Sequence, residues 1–99
     1  MTDQPVAIIS AGASGIGLSC ARALAAAGYR VLTLDIDVEA VVAFEAEFGE
    51  GTAVVCDVSH PAQVETAFAS LTESCDRIDV LLNNAGIAGP QQPVEEIEV

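Results

Sequence analysis

The sequence predicts an α/β fold built on a parallel sheet, in which strands and helices alternate along 99 residues. Short apolar runs, typical of strands buried on both faces, recur along the chain between segments whose apolar residues have helical spacing. A glycine-rich turn, SAGASGIG at residues 10–17, joins the first apolar run to the first helical segment. Strands connected in this way form a sheet covered by helices on both faces.

The elements are predicted in the order βαβαβαβ. The predicted strands cover residues 6–9, 30–34, 52–56 and 78–82, and the first helix covers residues 16–27. Gly28 suits the position after that helix. Asp37 is the predicted N-cap of the second helix, which ends at Gly49, and Ser59 is the predicted N-cap of the third, with Pro61 in its first turn. Right-handed crossovers then give the strand order 3-2-1-4.

Charge and composition narrow the function classes. The chain has 15 acidic residues against 3 basic ones, a formal net charge of -12, and 52% hydrophobic residues. Because nucleic acids and anionic membranes are bound by basic patches, this balance argues against both as partners. The acidic N-terminus is not a signal peptide, and no apolar run reaches the roughly 18 residues of a membrane span, so we expect a cytoplasmic protein. The cysteine spacing does not match a metal site.

The glycine-rich turn and a later acid form a nucleotide-binding pattern. Glycines let a backbone approach a pyrophosphate, and the free N–H groups of the following helix bind that anion with the positive end of the helix dipole. Asp35 ends the second apolar run, about 20 residues after the turn, where a carboxylate can accept hydrogen bonds from a ribose diol. This pattern predicts a site for a nicotinamide or similar dinucleotide.

Four segments together resemble the N-terminal half of a short-chain dehydrogenase/reductase. They are the turn at residues 10–17, Asp35, the dipeptide Asp57-Val58 after the third strand, and the sequence NNAG at residues 83–86 after the fourth. All follow successive predicted strands, where open α/β sheets bind their ligands. The resemblance covers essentially the whole chain. It implies half of a Rossmann fold, truncated before the later strands, with residues 1–99 as part of one NAD-binding domain.

The turn departs from the family pattern at one position. The family usually has Thr-Gly-x-x-x-Gly-x-Gly, so Ser10 stands for the threonine and Ala11 for the first glycine. Gly12, next to Ala11, is the expected substitute for the missing flexibility. Gly17 is expected to allow close packing of the helix on the sheet.

The resemblance also implies the cofactor contacts. The implied residues are Gly12, Ser14, Gly15, Ile16, Asp35, Asp57, Val58, Asn84, Ala85 and Gly86. Among them, Asp57 would accept a hydrogen bond from the adenine amino group, and the Val58 backbone would meet the ring. Residues 84–86 would line the adenosine ribose, whereas Asn83 would tie neighbouring strands together.

Charge favours NAD over NADP. A 2′-phosphate needs a nearby arginine or lysine and is repelled by a carboxylate at the ribose, which Asp35 would supply. Ser14 and Ile36 occupy positions where NADP-preferring members of the family often have a base. The basic residues of the chain, which are Arg22, Arg30 and Arg77, fall outside the predicted pocket.

Simpler structural roles stay open for several of these residues. Asp35 can end a strand or cap a turn, Asp57 can be an N-cap of the third helix, and residues 83–84 can form a turn. His60 is expected in the first turn of a helix and not in a catalytic site, because the pattern shows no acidic or nucleophilic partner for it.

The catalytic residues of the family are missing. Its hydride transfer uses a Tyr-x-x-x-Lys pair and a serine, whereas this chain has no lysine and its one tyrosine, Tyr29, precedes the second strand. We therefore expect no catalytic or metal-binding residue, an inactive isolated chain, and a parent enzyme that acts on an alcohol or carbonyl substrate with NAD. The alternative is a non-catalytic nucleotide-binding or interaction module. An open edge at the fourth strand predicts homo-oligomerisation or pairing with a missing C-terminal half.

Overall fold

The computed structural model, which describes residues 4–73, 75 and 77–83, confirms the predicted architecture. The strands are β1 (Val6–Ser10), β2 (Arg30–Asp35), β3 (Ala53–Val55) and β4 (Val80–Asn83), and the helices are α1 (Gly15–Ala26), α2 (Val38–Phe48) and α3 (Pro61–Thr72). Every strand pair is parallel, and the order is β3-β2-β1-β4, as predicted. The carboxyl ends of the strands therefore meet at one edge of the sheet.

Helix α1 ends as its sequence predicts. Gly28 has a φ of 101°, a left-handed conformation that glycine adopts at little cost. The N–H groups of Gly28 and Tyr29 donate to the carbonyls of Ala25 and Leu24 respectively. These two bonds form a Schellman motif, which satisfies carbonyl groups that the end of a helix leaves without partners.

Helix α2 also has the predicted boundaries. The carboxylate of Asp37 accepts hydrogen bonds from the N–H groups of Glu39 and Ala40 at 3.0 and 3.2 Å, so it caps the first turn. The helix ends at Gly49, where φ is 121°. Local capping residues are sufficient to define this element.

The predicted N-cap of α3 is wrong by one residue. The N-cap is His60, whose side chain makes no capping hydrogen bond, and Pro61 occupies the first turn. The hydroxyl of Ser59 instead donates to the carboxylate of Asp57 at 2.7 Å. Ser59 therefore serves the turn that precedes the helix, and Asp57 is not the N-cap of α3 either.

The two outer strands differ from their predicted bounds because each pairs with only one neighbour. The predicted strand at 52–56 contracts to β3, while Thr52 and Cys56 each keep a single backbone hydrogen bond to β2. The predicted strand at 78–82 is shifted to β4, since pairing with β1 begins at Ala7 and Val80. No helix in the described ranges is both long and apolar enough to cross a membrane.

Two apolar layers cover the sheet. Successive strand residues point to opposite faces, so each strand supplies both layers. Helices α1 and α2 cover one face, whose buried residues include Ala7, Ile9, Val31, Val41 and Phe44. Helix α3 covers the other, with Val6, Ile8, Leu32, Leu34 and Leu71. The layers fix the carboxyl ends of the strands, where the candidate site lies.

Candidate functional site

The glycine-rich turn is tied to the end of β2 through successive backbone groups. The bonds run from the N–H of Ala11 to the carbonyl of Leu34 (2.7 Å), from Gly12 to the hydroxyl of Thr33 (2.8 Å) and from Ala13 to Oδ2 of Asp35 (3.1 Å). The next N–H groups, in the first turn of α1, have no acceptor within the helix. Hydrogen bonds to β2 thus hold one side of the turn, and the backbone N–H groups at the start of α1 remain available to a ligand.

Thr33 is a residue of the site that the sequence analysis missed. Its side chain is fully buried, and its hydroxyl accepts from Gly12 and donates to the carbonyl of Ile9 at 2.6 Å. The hydroxyl therefore joins the turn to both β1 and β2. The available signal was a polar residue inside the otherwise apolar run of β2, since a buried hydroxyl needs hydrogen-bond partners.

The expected exchange of roles between Ala11 and Gly12 is wrong. Ala11 itself adopts the left-handed conformation, with φ of 54°, which costs a residue with a side chain about 1–2 kcal/mol. Gly12 is needed for space instead. A Cβ atom there would lie 2.8 Å from the Thr33 hydroxyl oxygen and 2.9 Å from Cβ of Ile9.

The predicted phosphate-binding residues lie together at the start of α1. Ser14 is the exposed N-cap, and its hydroxyl makes no capping hydrogen bond. Gly15 has φ of 60° and open space where a side chain would be, and the Ile16 side chain is 75% exposed. Gly17 is buried, as expected for a residue that lets the helix pack on the sheet. Ser14, Gly15 and Ile16 carry no charge that would repel an anion from the backbone, and Gly15 leaves open space beside it.

Asp35 lies beside the turn with its carboxylate nearly buried, at 7% exposure. Its Oδ2 accepts from Ala13, and its Oδ1 accepts from the N–H of Asp37 at 3.0 Å. The turn-capping role that stayed open for Asp35 is therefore present. Both carboxylate oxygens can still accept hydrogen bonds from a ligand, because each of them can accept more than one.

A cleft of about 160 Å³ continues from Asp35 to the end of β3. Its lining residues are Ala11, Leu34, Asp35, Ile36, Cys56, Asp57 and Val58. Burial, and secondarily the Asp57 carboxylate, raises the pKa of the Cys56 thiol, so this group is neutral. A second cavity of about 280 Å³ adjoins it on the α3 side and shares Leu34 and Val58 with it. The cleft thus combines apolar walls with carboxylates.

The Asp57 carboxylate is held by the turn that follows it. The hydroxyl and the N–H of Ser59 both donate to it, and these bonds lower the pKa of Asp57 below its usual range. The expectation that His60 has no acidic or nucleophilic neighbour is wrong. His60 Nε2 lies 3.8 Å from Asp57 Oδ2, and its Nδ1 lies 3.4 Å from the Ser59 hydroxyl. Local chain reversal, which spacing alone does not indicate, brings the three side chains together.

At the end of β4, Asn83 ties neighbouring strands together. Its Oδ1 accepts a hydrogen bond from the Ser10 hydroxyl on β1 at 2.9 Å. Ser10 and Asn83 are also register partners, so the bond reinforces the end of the β1–β4 pair. The remaining predicted site residues, Asn84, Ala85 and Gly86, lie outside the described residues.

The basic residues all lie away from the turn. Arg22 lies in the second half of helix α1 and pairs with Glu47 of α2 at 2.9 Å. Arg30 is paired in register with Val6 at the opposite end of the sheet. Arg77 bonds Asp79, which precedes β4 at that same opposite end. These are all the basic residues that the sequence contains.

Comparisons with known proteins identify the family. A sequence profile described as enoyl-(acyl carrier protein) reductase matches residues 10–99. Levodione reductase of Leifsonia aquatica is 40% identical over 100 residues, which cover 95% of this chain and 37% of that protein. The chain therefore spans little more than a third of that relative's length.

Solved structures agree with the sequence matches. The 3-ketoacyl-(acyl-carrier-protein) reductase from Brucella melitensis, complexed with NADH, is 33% identical with a TM-score of 0.78, over 95% of this chain and 39% of that one. A variant of actinorhodin polyketide ketoreductase with NADPH is 32% identical with a TM-score of 0.79, over 97% and 38%. Both the sequence and the fold lead to one conclusion: the chain belongs to the short-chain dehydrogenase/reductase family of oxidoreductases.

Proposed function

We propose that this chain is the adenosine- and pyrophosphate-binding half of an NAD-dependent oxidoreductase that acts on an alcohol or carbonyl substrate. The observation that carries the proposal is the position of Asp35. Its carboxylate lies at the end of β2, is held by the N–H of Ala13, and lines the cleft beside the glycine-rich turn. A carboxylate so fixed next to a phosphate-binding turn suits the diol of an adenosine ribose.

The pyrophosphate would be bound by backbone groups and not by cations. The start of α1 offers N–H groups without intrahelical acceptors, and its side chains are exposed or absent at Ser14, Gly15 and Ile16. Gly12 lets the turn approach β2 closely, because a Cβ there would lie 2.8 Å from the Thr33 hydroxyl oxygen, and Gly15 has open space where a side chain would be. Gly12, Ser14, Gly15 and Ile16 are accordingly proposed as cofactor-binding residues.

The charge arrangement favours NAD over NADP. Asp35 would repel a 2′-phosphate, and neighbouring Ile36, 64% exposed, provides no positive charge. Arg30, the register partner of Val6, lies on β2 five residues before Asp35. The two residues are therefore separated by roughly 16 Å of extended strand. The relatives include structures with either NADH or NADPH, so this preference rests on the residues of this chain.

The chain itself would supply binding and not the chemical step. A bound nicotinamide supplies the hydride chemistry, whereas the family's Tyr-x-x-x-Lys pair is absent from these 99 residues. Tyr29 precedes β2, at the end of the sheet opposite Asp35. We therefore propose that the isolated chain binds the cofactor but is inactive.

Titration of the purified chain with NADH and with NADPH, followed by calorimetry, tests the proposal. We expect NADH to bind at least roughly tenfold more tightly, equivalent to about 1.4 kcal/mol. Asp35→Asn removes the charge and keeps one oxygen to accept from the Ala13 N–H, while the N–H of Asp37 loses its acceptor, so this variant should weaken NADH binding and reduce the preference. Glu50→Gln, which removes an exposed carboxylate elsewhere, should leave both affinities unchanged. Equal or tighter binding of NADPH by the wild-type chain contradicts the NAD assignment.

A further inference from the structure

Strand β3 forms one edge of the described sheet, at the side of helix α3. In the part of the chain that the structure describes, β3 pairs with β2 alone. We propose that the outer side of β3 binds a second copy of this chain, which pairs antiparallel with it through its own β3. This homodimer contact goes beyond the proposed function and does not depend on it.

The backbone groups of Ala53 and Val55 point to the open side of β3. On the inner side, the carbonyl of Thr52 and the N–H of Cys56 bond β2 at 2.9 and 3.0 Å. Because successive residues of a strand direct their backbone groups to alternate sides, the N–H and C=O groups of Ala53 and Val55 face outwards. A row of such groups is a template on which another strand can pair.

An open groove of about 430 Å³ lies beside this edge, between β3 and α3. Its walls include Val54 and Val55 of the strand and Ala62 and Ser70 of the helix. The Val55 side chain is 46% exposed although it belongs to the sheet. Since the side chains of an added strand alternate between the two faces of the sheet, every second one would enter the groove.

The charge distribution favours a second copy as the occupant. Two copies with a net charge of -12 each repel one another, so a contact between them needs a surface without carboxylates. Neither β3 nor the residues that line the groove include a charged side chain. A basic partner attracted by the acidic chain would find no carboxylate to pair with here. A neutral surface can face itself across a two-fold axis, as identical subunits require.

A two-fold axis at Val54 defines the register of the contact. Ala53 of one copy then lies opposite Val55 of the other, and the residues of each such pair exchange two backbone hydrogen bonds. The two copies of Val54 face each other without hydrogen bonds, with Cα atoms about 4.5 Å apart. Because the paired strand is short, we expect a weak and reversible dimer.

Sedimentation equilibrium of the purified chain tests the proposal. We expect a monomer–dimer equilibrium that added salt strengthens, since salt screens the repulsion between the acidic chains. Val55→Lys places at the edge a residue that commonly protects edge strands, and it should raise the dissociation constant at least roughly tenfold. Ala26→Lys makes the same change of charge at an exposed position of α1 and should not weaken the dimer.

Two further measurements locate the contact on β3. The amide protons of Ala53 and Val55 should be protected from hydrogen exchange at high protein concentration and lose this protection on dilution. Val54→Cys should form a disulfide-linked dimer under mild oxidation, because side chains facing each other in this way have Cβ atoms about 4.5–5.5 Å apart. Ala26→Cys, and the wild-type chain with its own cysteines, should form none under the same conditions.

Three results would overturn the proposal. The first is a wild-type chain that stays monomeric in high salt at the concentrations used for NMR. The second is a dimer with the same dissociation constant in the wild type and in Val55→Lys, which means a contact elsewhere. The third is protection of the Ala53 and Val55 amides in a monomer, because another part of the same chain would then cover the edge. Should Val55→Lys fail to fold, the exchange data and the Val54→Cys cross-link decide the question.

Discussion

The hydroxyl of Thr33 accepts the N–H of Gly12 over 2.8 Å inside the protein, where water does not reach either group. The contact is possible because Gly12 has no Cβ, which would lie 2.8 Å from that same oxygen. The glycine-rich turn is therefore shaped by an interaction with β2 as much as by its own sequence.

Replacing Thr33 should destabilise the protein although the new side chain has nearly the same shape. Thr33→Val removes the acceptor for the N–H of Gly12, which is buried, and one of the hydrogen bonds to the carbonyl of Ile9. We expect the free energy of unfolding to fall by about 1–3 kcal/mol in urea denaturation. Thr66→Val is the control. It removes an exposed hydrogen bond from the Thr66 hydroxyl to the Ala62 carbonyl, so we expect the free energy of unfolding to change by less than about 0.5 kcal/mol.

Ala11 offers a stabilising substitution. Ala11→Gly relieves a left-handed backbone that costs about 1–2 kcal/mol, and this gain exceeds the roughly 0.5–1 kcal/mol lost to the added freedom of the unfolded chain. Thermal or urea unfolding should show a net gain of up to about 1 kcal/mol. The same replacement at Ala23, exposed within α1, should instead cost about 1 kcal/mol. Losses of equal size at both positions would contradict this account of the turn.

A positive charge beside Asp35 should change the cofactor preference. Ile36→Arg places a guanidinium at an exposed position of the cleft, where it can pair with a 2′-phosphate. We expect NADPH affinity to rise by roughly tenfold, with a smaller effect on NADH. Val42→Arg adds the same charge at an exposed position of α2 and controls for the reduced net charge. An equal gain from both variants would mean that the effect is not local to the cleft.

The contacts of Asp57 also predict how stability depends on pH. Because Ser59 lowers the pKa of Asp57, the stabilisation is present above the usual aspartate pKa near 3.9 and is lost as pH falls through the lower, folded-state pKa. A carboxyl NMR titration should find the pKa of Asp57 below that value in the wild type and shifted upwards in Ser59→Ala. The stability difference between these proteins should shrink in acid; a pKa unchanged by the substitution is the contrary result.

Local signals predict much of this fold, and tertiary contacts account for what they miss. Asp37 and Gly28 have one strongly preferred role each, so the sequence predicts the helix ends at which they lie. Ser59 is different, because its hydroxyl suits an N-cap and a bond to Asp57 equally well, and only the folded turn selects between them. The function of Thr33 depends on how closely the turn approaches β2, which no periodicity expresses.

The placement of the arginines affects the kinetics of cofactor binding. All of them lie away from the glycine-rich turn, in a chain of net charge -12, so an anionic dinucleotide meets repulsion at long range and attraction only at the backbone N–H groups. At 0.1 M ionic strength charges are screened beyond about 10 Å, whereas contacts at hydrogen-bond distance are much less affected. Added salt should therefore accelerate association, the opposite of what is expected where lysine and arginine attract the phosphates.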